Sequence, residues 1–232
     1  MPAQPRVLVA GTGLGAFGAA LALFERGVPF DVVCPSLRPS EELITIAERL
    51  RAKPVGDWSP GERIWHQKQR IWAPKKTLFG RETFLSLNYP VSTLRGTKYA
   101  PYSEALGGMA SGWGASSLPL DRDSLRRWGE EFGIDLISSY KSVLQNVPYS
   151  FADDELSTRY PSFGMEPDSF RSERSESTLL SKLVRFSSSS ADTIAGRSRL
   201  MLDTSERGCR SCGACMSGCV FGAIFDPGSR VL

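Results

Sequence analysis

The spacing of apolar and polar positions is clearest at the amino terminus. Arg6 to Val9 reads as a short buried strand, followed by a glycine-rich turn and then a helix with Ala20, Leu23 and Phe24 on one apolar face. A second apolar run ends at Cys34, so residues 6 to 34 predict strand, turn, helix, strand, the unit from which α/β folds are built. Glu41 to Ala52 has helical spacing that turns Leu43, Ile44, Ala47 and Leu50 inward. Residues 121 to 147 predict two helices, with Asp121 or Asp123 as the N-cap and Gly133 near the break. Residues 157 to 192 are serine-rich, including Ser187 to Ser190, and predict irregular surface structure. No internal repeat is present.

Composition narrows the classes. The chain has 232 residues, 41% hydrophobic and 23% charged, and can bury a core as one large or two small domains. Its net charge is only +3, and no basic stripe is interleaved with aromatics, so nucleic acid is not the expected partner. No apolar run reaches the roughly 18 residues that span a bilayer, and the start lacks a signal-peptide layout, so a cytoplasmic location is expected. The single histidine, His66, lies between tryptophans in RIWHQKQRIW and reads as a packed or surface residue rather than a catalyst.

The turn after the first strand admits two registers of G-x-G-x-x-G: Gly13, Gly15 and Gly18, or Gly11 and Gly13 with Ala16 in the third place. In dinucleotide folds the glycine that ends the first helix lies about sixteen residues after the first loop glycine. Gly27 lies sixteen after Gly11, which selects the second register. Gly11 then makes the tight turn, Gly13 admits a pyrophosphate, with Gly15 beside it, and Ala16 allows close packing of helix on strand. The acid that would bind a ribose hydroxyl should fall at position 34, which is Cys34. Asp31, the nearest acid, lies within the strand and reads equally well as a solvated residue, which leaves Ser36 or backbone for the ribose.

Near the carboxyl terminus stands Cys209-x2-Cys212-x2-Cys215-x3-Cys219. Four thiols within eleven residues fit the bacterial ferredoxin loop, which wraps an iron-sulfur cube, better than the paired, well-separated knuckles of structural zinc. Gly213 and Gly218 allow the backbone to fold tightly there. In two-cluster ferredoxins the fourth cysteine serves the other cluster, so the fourth ligand here is Cys219, a thiol from outside the chain, or Cys34. Between the two motifs, ALGGMASGWGASSLP at residues 105 to 119 reads on composition alone as a glycine-rich turn.

In this order the motifs resemble those of the glucose-methanol-choline (GMC) oxidoreductases, and more closely their iron-sulfur-containing, choline-dehydrogenase-like relatives. The resemblance implies FAD, with Gly11, Gly13 and Ala16 facing its pyrophosphate and Gly107, Gly108, Ser111 and Gly114 along the flavin. Trp113 stands where many members of the wider family carry asparagine. The implied fold is a Rossmann-like FAD/NAD(P)-binding α/β fold, incomplete here. It divides into a βαβ unit (1–36), an inserted region (37–104), a flavin-side loop and helices (105–150), a serine-rich region with a strand (151–204) and the cysteine segment (205–232). The implied activity is oxidation of an alcohol or sugar, with electrons passing from flavin through a 4Fe-4S cluster to an acceptor protein. The family's catalytic histidine and substrate pocket lie in a C-terminal half that this sequence lacks. The chain alone is therefore expected to be inactive on an alcohol: either it is a fragment of a longer protein or a partner subunit supplies that half. The alternative is a non-catalytic electron-transfer or scaffold subunit.

Overall fold

The computed structural model describes residues 6–35, 38, 40–71, 103–168, 174–187, 193–212, 215 and 219–229. Over these residues the chain is mixed α/β, with seven α-helices and one two-stranded parallel sheet. It divides into two compact units: Met1–Gly114 with Ala214–Gly222 and Asp226–Leu232, and Ala115–Gly213 with Ala223–Phe225.

The first unit opens with β1 (Val7–Ala10), α1 (Leu14–Glu25) and β2 (Phe30–Val33), and β1 pairs with β2 in parallel from Val7 opposite Phe30 to Ala10 opposite Val33. Parallel pairing demands a crossover, and α1 supplies it. The helix closes where the spacing predicts: Val28 N–H donates to Leu23 O at 2.9 Å and Gly27 N–H to Phe24 O at 3.0 Å, a Schellman ending. None of its residues is buried, and Leu8, Phe24 and Val33 remain 65%, 75% and 51% exposed, so much of the apolar surface of this βαβ unit is uncovered.

Two further helices, α2 (Glu41–Arg51) and α3 (Pro60–Ile71), form the unit's core. Acids in the first turn and arginines in the last suit the dipole of α2, and Ser40 Oγ accepts Leu43 N–H. Ala47 and Leu50 face inward as the periodicity requires, whereas Ile44 is 40% exposed and Ile46 packs inward instead. The stripe is rotated because Leu50 of α2 packs with Trp58 and Val220 in one cluster. A capping box starts α3: Ser59 N–H donates to Glu62 Oε2 at 2.7 Å and Glu62 N–H to Ser59 Oγ at 3.3 Å. Lys53 Nζ also reaches Glu62 Oε2 at 2.8 Å. That bond and the Ser59 N–H hold the carboxyl at about 2, well below its ordinary value. His66 is buried with its ring edge-on to Trp58, at 5.1 Å between centroids.

The second unit holds α4 (Arg122–Phe132) and α5 (Leu136–Asn146), capped by Asp121 and Asp135, with Gly133 ending α4. The serine-rich stretch is not all irregular. It contains α6 (Leu156–Arg159) and α7 (Arg174–Ser187). Serine tolerates a helix's solvent face, and Leu180 and Val184, four apart, are less exposed than Leu179, Leu183 and Phe186. Of the run Ser187 to Ser190, only Ser187 lies within the described residues; it is buried, and its Oγ donates to Glu155 Oε2 at 2.8 Å. Where the sequence predicts a strand, Leu200 and Leu202 make single antiparallel bridges to Ser116, Ser150 and Ile224. Arg197 and Arg199, just before Leu200, are buried: Arg199 pairs with Asp154 at 2.8 Å, and Arg197 pairs with Asp168.

Candidate functional site

The glycine loop leaves β1 at the C-terminal edge of the sheet, where Gly11 N–H donates to Val33 O at 2.7 Å. Gly11 has φ +104°, a conformation that side chains other than hydrogen resist, so it makes the tight turn. Thr12 is buried, and Gly13 caps α1 in an extended conformation with no side-chain cap. The first intrahelical bond is Phe17 N–H to Gly13 O at 2.9 Å. Helix geometry therefore leaves the first-turn N–H groups, beginning at Leu14, without intrahelical acceptors at the positive end of the dipole. Gly15 is exposed and Ala16 half-buried.

Within the same unit this loop meets a segment 95 residues further along. Gly107 N–H donates to Thr12 Oγ1 at 2.9 Å in a buried bond. Gly108 opens a 3-10 turn (Gly108–Gly112), with its own N–H on Ala105 O at 2.7 Å, and Ser111 Oγ donates to Gly108 O at 2.9 Å. A third strand of chain closes the junction: Asp226 Oδ1 accepts Gly228 N–H at 2.9 Å beside Gly107. Burial raises the Asp226 carboxyl above its ordinary range, against the opposing pull of that N–H, and so favours its neutral form.

Two kinds of glycine stand here. A Cβ on Gly107, at φ +90°, would overlap the Asp226 carboxylate; one on Gly108 would lie 3.1 Å from Gly13 Cα, and one on Gly228 2.5 Å from Gly107 N. The protein's own packing requires these three to be glycine. Gly13 differs. Its φ of −75° suits any residue, and a Cβ there would meet nothing closer than Gly107 O at 3.8 Å. Gly15 would meet nothing within 4 Å. The backbone at Gly13 is thus open, and its bare Cα would admit the close approach of a phosphate. Gly107 and Gly108, by contrast, already serve to seat one loop on the other. Ser111 and Gly114 lie on or just beyond the 3-10 turn, both half-buried.

Where the sequence places the ribose contact, Cys34 follows β2 and is half-buried, and Asp31 is a solvated strand residue that pairs with Arg6 at 3.4 Å. Ser36 lies outside the described residues.

The cysteine segment is anchored locally at both ends. Before it, Asp203 builds a tight turn by accepting Ser205 N–H on its carboxylate at 2.9 Å and Cys209 N–H on its backbone oxygen at 2.8 Å. Ser211 N–H donates to Cys209 Sγ at 3.4 Å, the kind of N–H to sulfur bond that tunes a cluster thiolate. After it, Val220 is buried against Leu50, its backbone oxygen accepts Arg51 Nε at 2.7 Å, and Phe221 stacks on Trp58. The inserted helices, whose role the sequence does not reveal, thus hold residues 219 to 222. Cys209 and Cys212 belong to the second unit, Cys215 and Cys219 to the first. All four are half-buried, and among the described residues no group of three or more His, Cys, Asp or Glu is gathered to hold a metal ion. The donor type suits iron-sulfur chemistry. Gly213 and Gly218 lie outside the described residues.

Thr12, Asp226 and Gly228 join the site unforeseen. Asp226-Pro227-Gly228 is a turn signature, but nothing in it points to a partner more than a hundred residues away. No helix among the described residues is long and apolar enough to cross a membrane. No protein-family model matches the chain, and no curated protein matches it, so its functional reading rests on the residues themselves.

Proposed function

We propose that the chain is the cofactor-binding part of an FAD-dependent oxidoreductase of the GMC type, carrying a 4Fe-4S cluster on Cys209, Cys212, Cys215 and Cys219. One observation carries the flavin reading: the Gly107-Gly108 loop is hydrogen-bonded to the nucleotide loop through Thr12 beside a Gly13 whose missing side chain the protein does not use. The α1 N–H groups beyond Gly13 would hold the pyrophosphate, while the Thr12 bond fixes the second loop next to it. When bound, FAD accepts a hydride from an alcohol or sugar carbon, and a 4Fe-4S cluster takes up and releases single electrons. The protein's share is to position both and to aim N–H dipoles at them.

Gly13→Val tests this directly. The branched side chain enters the space left for the pyrophosphate, so flavin retained on gel filtration should be lost while the circular dichroism spectrum is kept. Equal retention by both proteins contradicts the assignment. A second reading, a non-catalytic electron-transfer subunit, draws support from the exposed apolar residues of the βαβ unit, Leu8, Phe24 and Val33, which suit docking on a partner. Iron-sulfur absorbance without flavin would favour it.

A further inference from the structure

The second unit contains a pocket of about 400 Å³ that plays no part in the glycine junction or the cysteine segment. Its walls come from the segment through Leu120, from Trp128 on α4, from Tyr140 and Val143 on α5, and from Tyr149 and Met201. That volume suits a two-ring molecule, and three aromatic side chains offer flat faces to it. No acidic or basic side chain is among its lining residues. A charged ligand would therefore lose its hydration without finding a counter-charge.

The polar side-chain groups of the lining are four hydroxyls and the Trp128 indole N–H, and the hydroxyls are not equivalent. Tyr140 Oη already accepts Leu120 N–H at 3.2 Å, and its ring is stacked on Phe163 at 4.4 Å between centroids. Among the described residues no hydrogen-bond partner is found for the Tyr149 hydroxyl. Burial pushes Tyr149 up to about 12, so it remains a donor throughout the physiological range. The nearby cation, Arg199, is itself engaged by Asp154.

We propose that this pocket is a binding site for a small, uncharged aromatic molecule whose carbonyl or similar acceptor takes a hydrogen bond from Tyr149. The proposal does not depend on the flavin reading, since every residue it uses lies in the second unit.

Titration calorimetry on the full chain with three ligands of one ring size provides the test. 2-Acetylnaphthalene should bind once per chain. Naphthalene should bind more weakly, and 2-naphthoate, which brings a carboxylate into a lining without cations, about a hundredfold more weakly or not at all. Tyr149→Phe should weaken 2-acetylnaphthalene about five- to tenfold and leave naphthalene unchanged. Val143→Trp, which fills the pocket, should abolish binding. Ser139→Trp, at the exposed rim of α5, should do the same if Val143→Trp fails to fold. The proposal is overturned if the unaltered chain binds none of the three, or if 2-naphthoate binds as well as 2-acetylnaphthalene. It is equally overturned if Tyr149→Phe affects both neutral ligands alike, or if a folded tryptophan variant binds undiminished.

Discussion

Replacing Gly107 and Gly13 in turn by alanine separates a glycine the fold needs from one it does not. At Gly107 the new methyl group faces φ +90° and the Asp226 carboxylate. The backbone strain costs about 1–2 kcal/mol, and displacing Asp226 from Gly228 N–H loses roughly 1 kcal/mol more. The variant should therefore lose about 2–3 kcal/mol of stability, read as a lower urea midpoint at unchanged slope. At Gly13 the backbone is ordinary and the nearest atom lies 3.8 Å away. Reduced freedom of the unfolded chain gains about 0.4–1 kcal/mol, and the poorer N-cap removes a similar amount, so the net change should stay within about 1 kcal/mol. Flavin affinity should nevertheless fall by about ten- to a hundredfold, because the methyl group occupies the approach of the pyrophosphate at an overpacking cost of about 1–3 kcal/mol. If Gly13→Ala loses as much stability as Gly107→Ala, or binds flavin as well as the parent, the distinction between the two glycines is refuted.

Other consequences are equally open to measurement. Glu62 titrates at about 2 when folded, below its unfolded value, so its contribution is present above the ordinary carboxylate range and is lost as pH falls through it towards 2. Urea midpoints across that window should fall less for Glu62→Gln than for the parent. Asp226 has the opposite sign: its folded carboxyl is raised, so stability declines as pH rises through the raised value, and Asp226→Asn should flatten that decline in the same assay. Arg199→Ala removes the cation paired with the Asp154 carboxylate, which keeps the N–H groups of Leu156 and Arg197, and should cost about 1–3 kcal/mol by chemical denaturation. Arg199→Lys should restore only part of that, because one ammonium cannot make the contacts a guanidinium makes to Asp154, Ser157 and the backbone of Arg197.

Local signals in the sequence were the ones that could be read from it. The βαβ unit, the Gly27 helix ending and the two helices that begin at the Asp121 cap and break near Gly133 follow from periodicity, capping and turn chemistry within a few residues of each position. Helix α7 is hidden by its serine content, which obscures the apolar spacing of Leu180 and Val184. The capping box at Ser59 and Glu62 is encoded locally in Ser59-Pro60-Gly61-Glu62. Thr12 on Gly107, Asp226 over Gly107 and Val220 in the α2–α3 cluster were not legible at all. Each depends on contacts across roughly a hundred residues or more, and nothing in a single sequence records which distant loop a backbone N–H will find.

The central claim is that one chain holds both flavin and an iron-sulfur cluster, and the most direct test is to measure iron, sulfide and flavin in protein reconstituted anaerobically. About four irons, four sulfides and one FAD per chain are predicted. Cys212→Ala should remove the iron and sulfide while leaving the flavin, and Gly13→Val should remove the flavin while leaving the iron. Tightly bound zinc without iron, or flavin retained in full by Gly13→Val, would contradict the account.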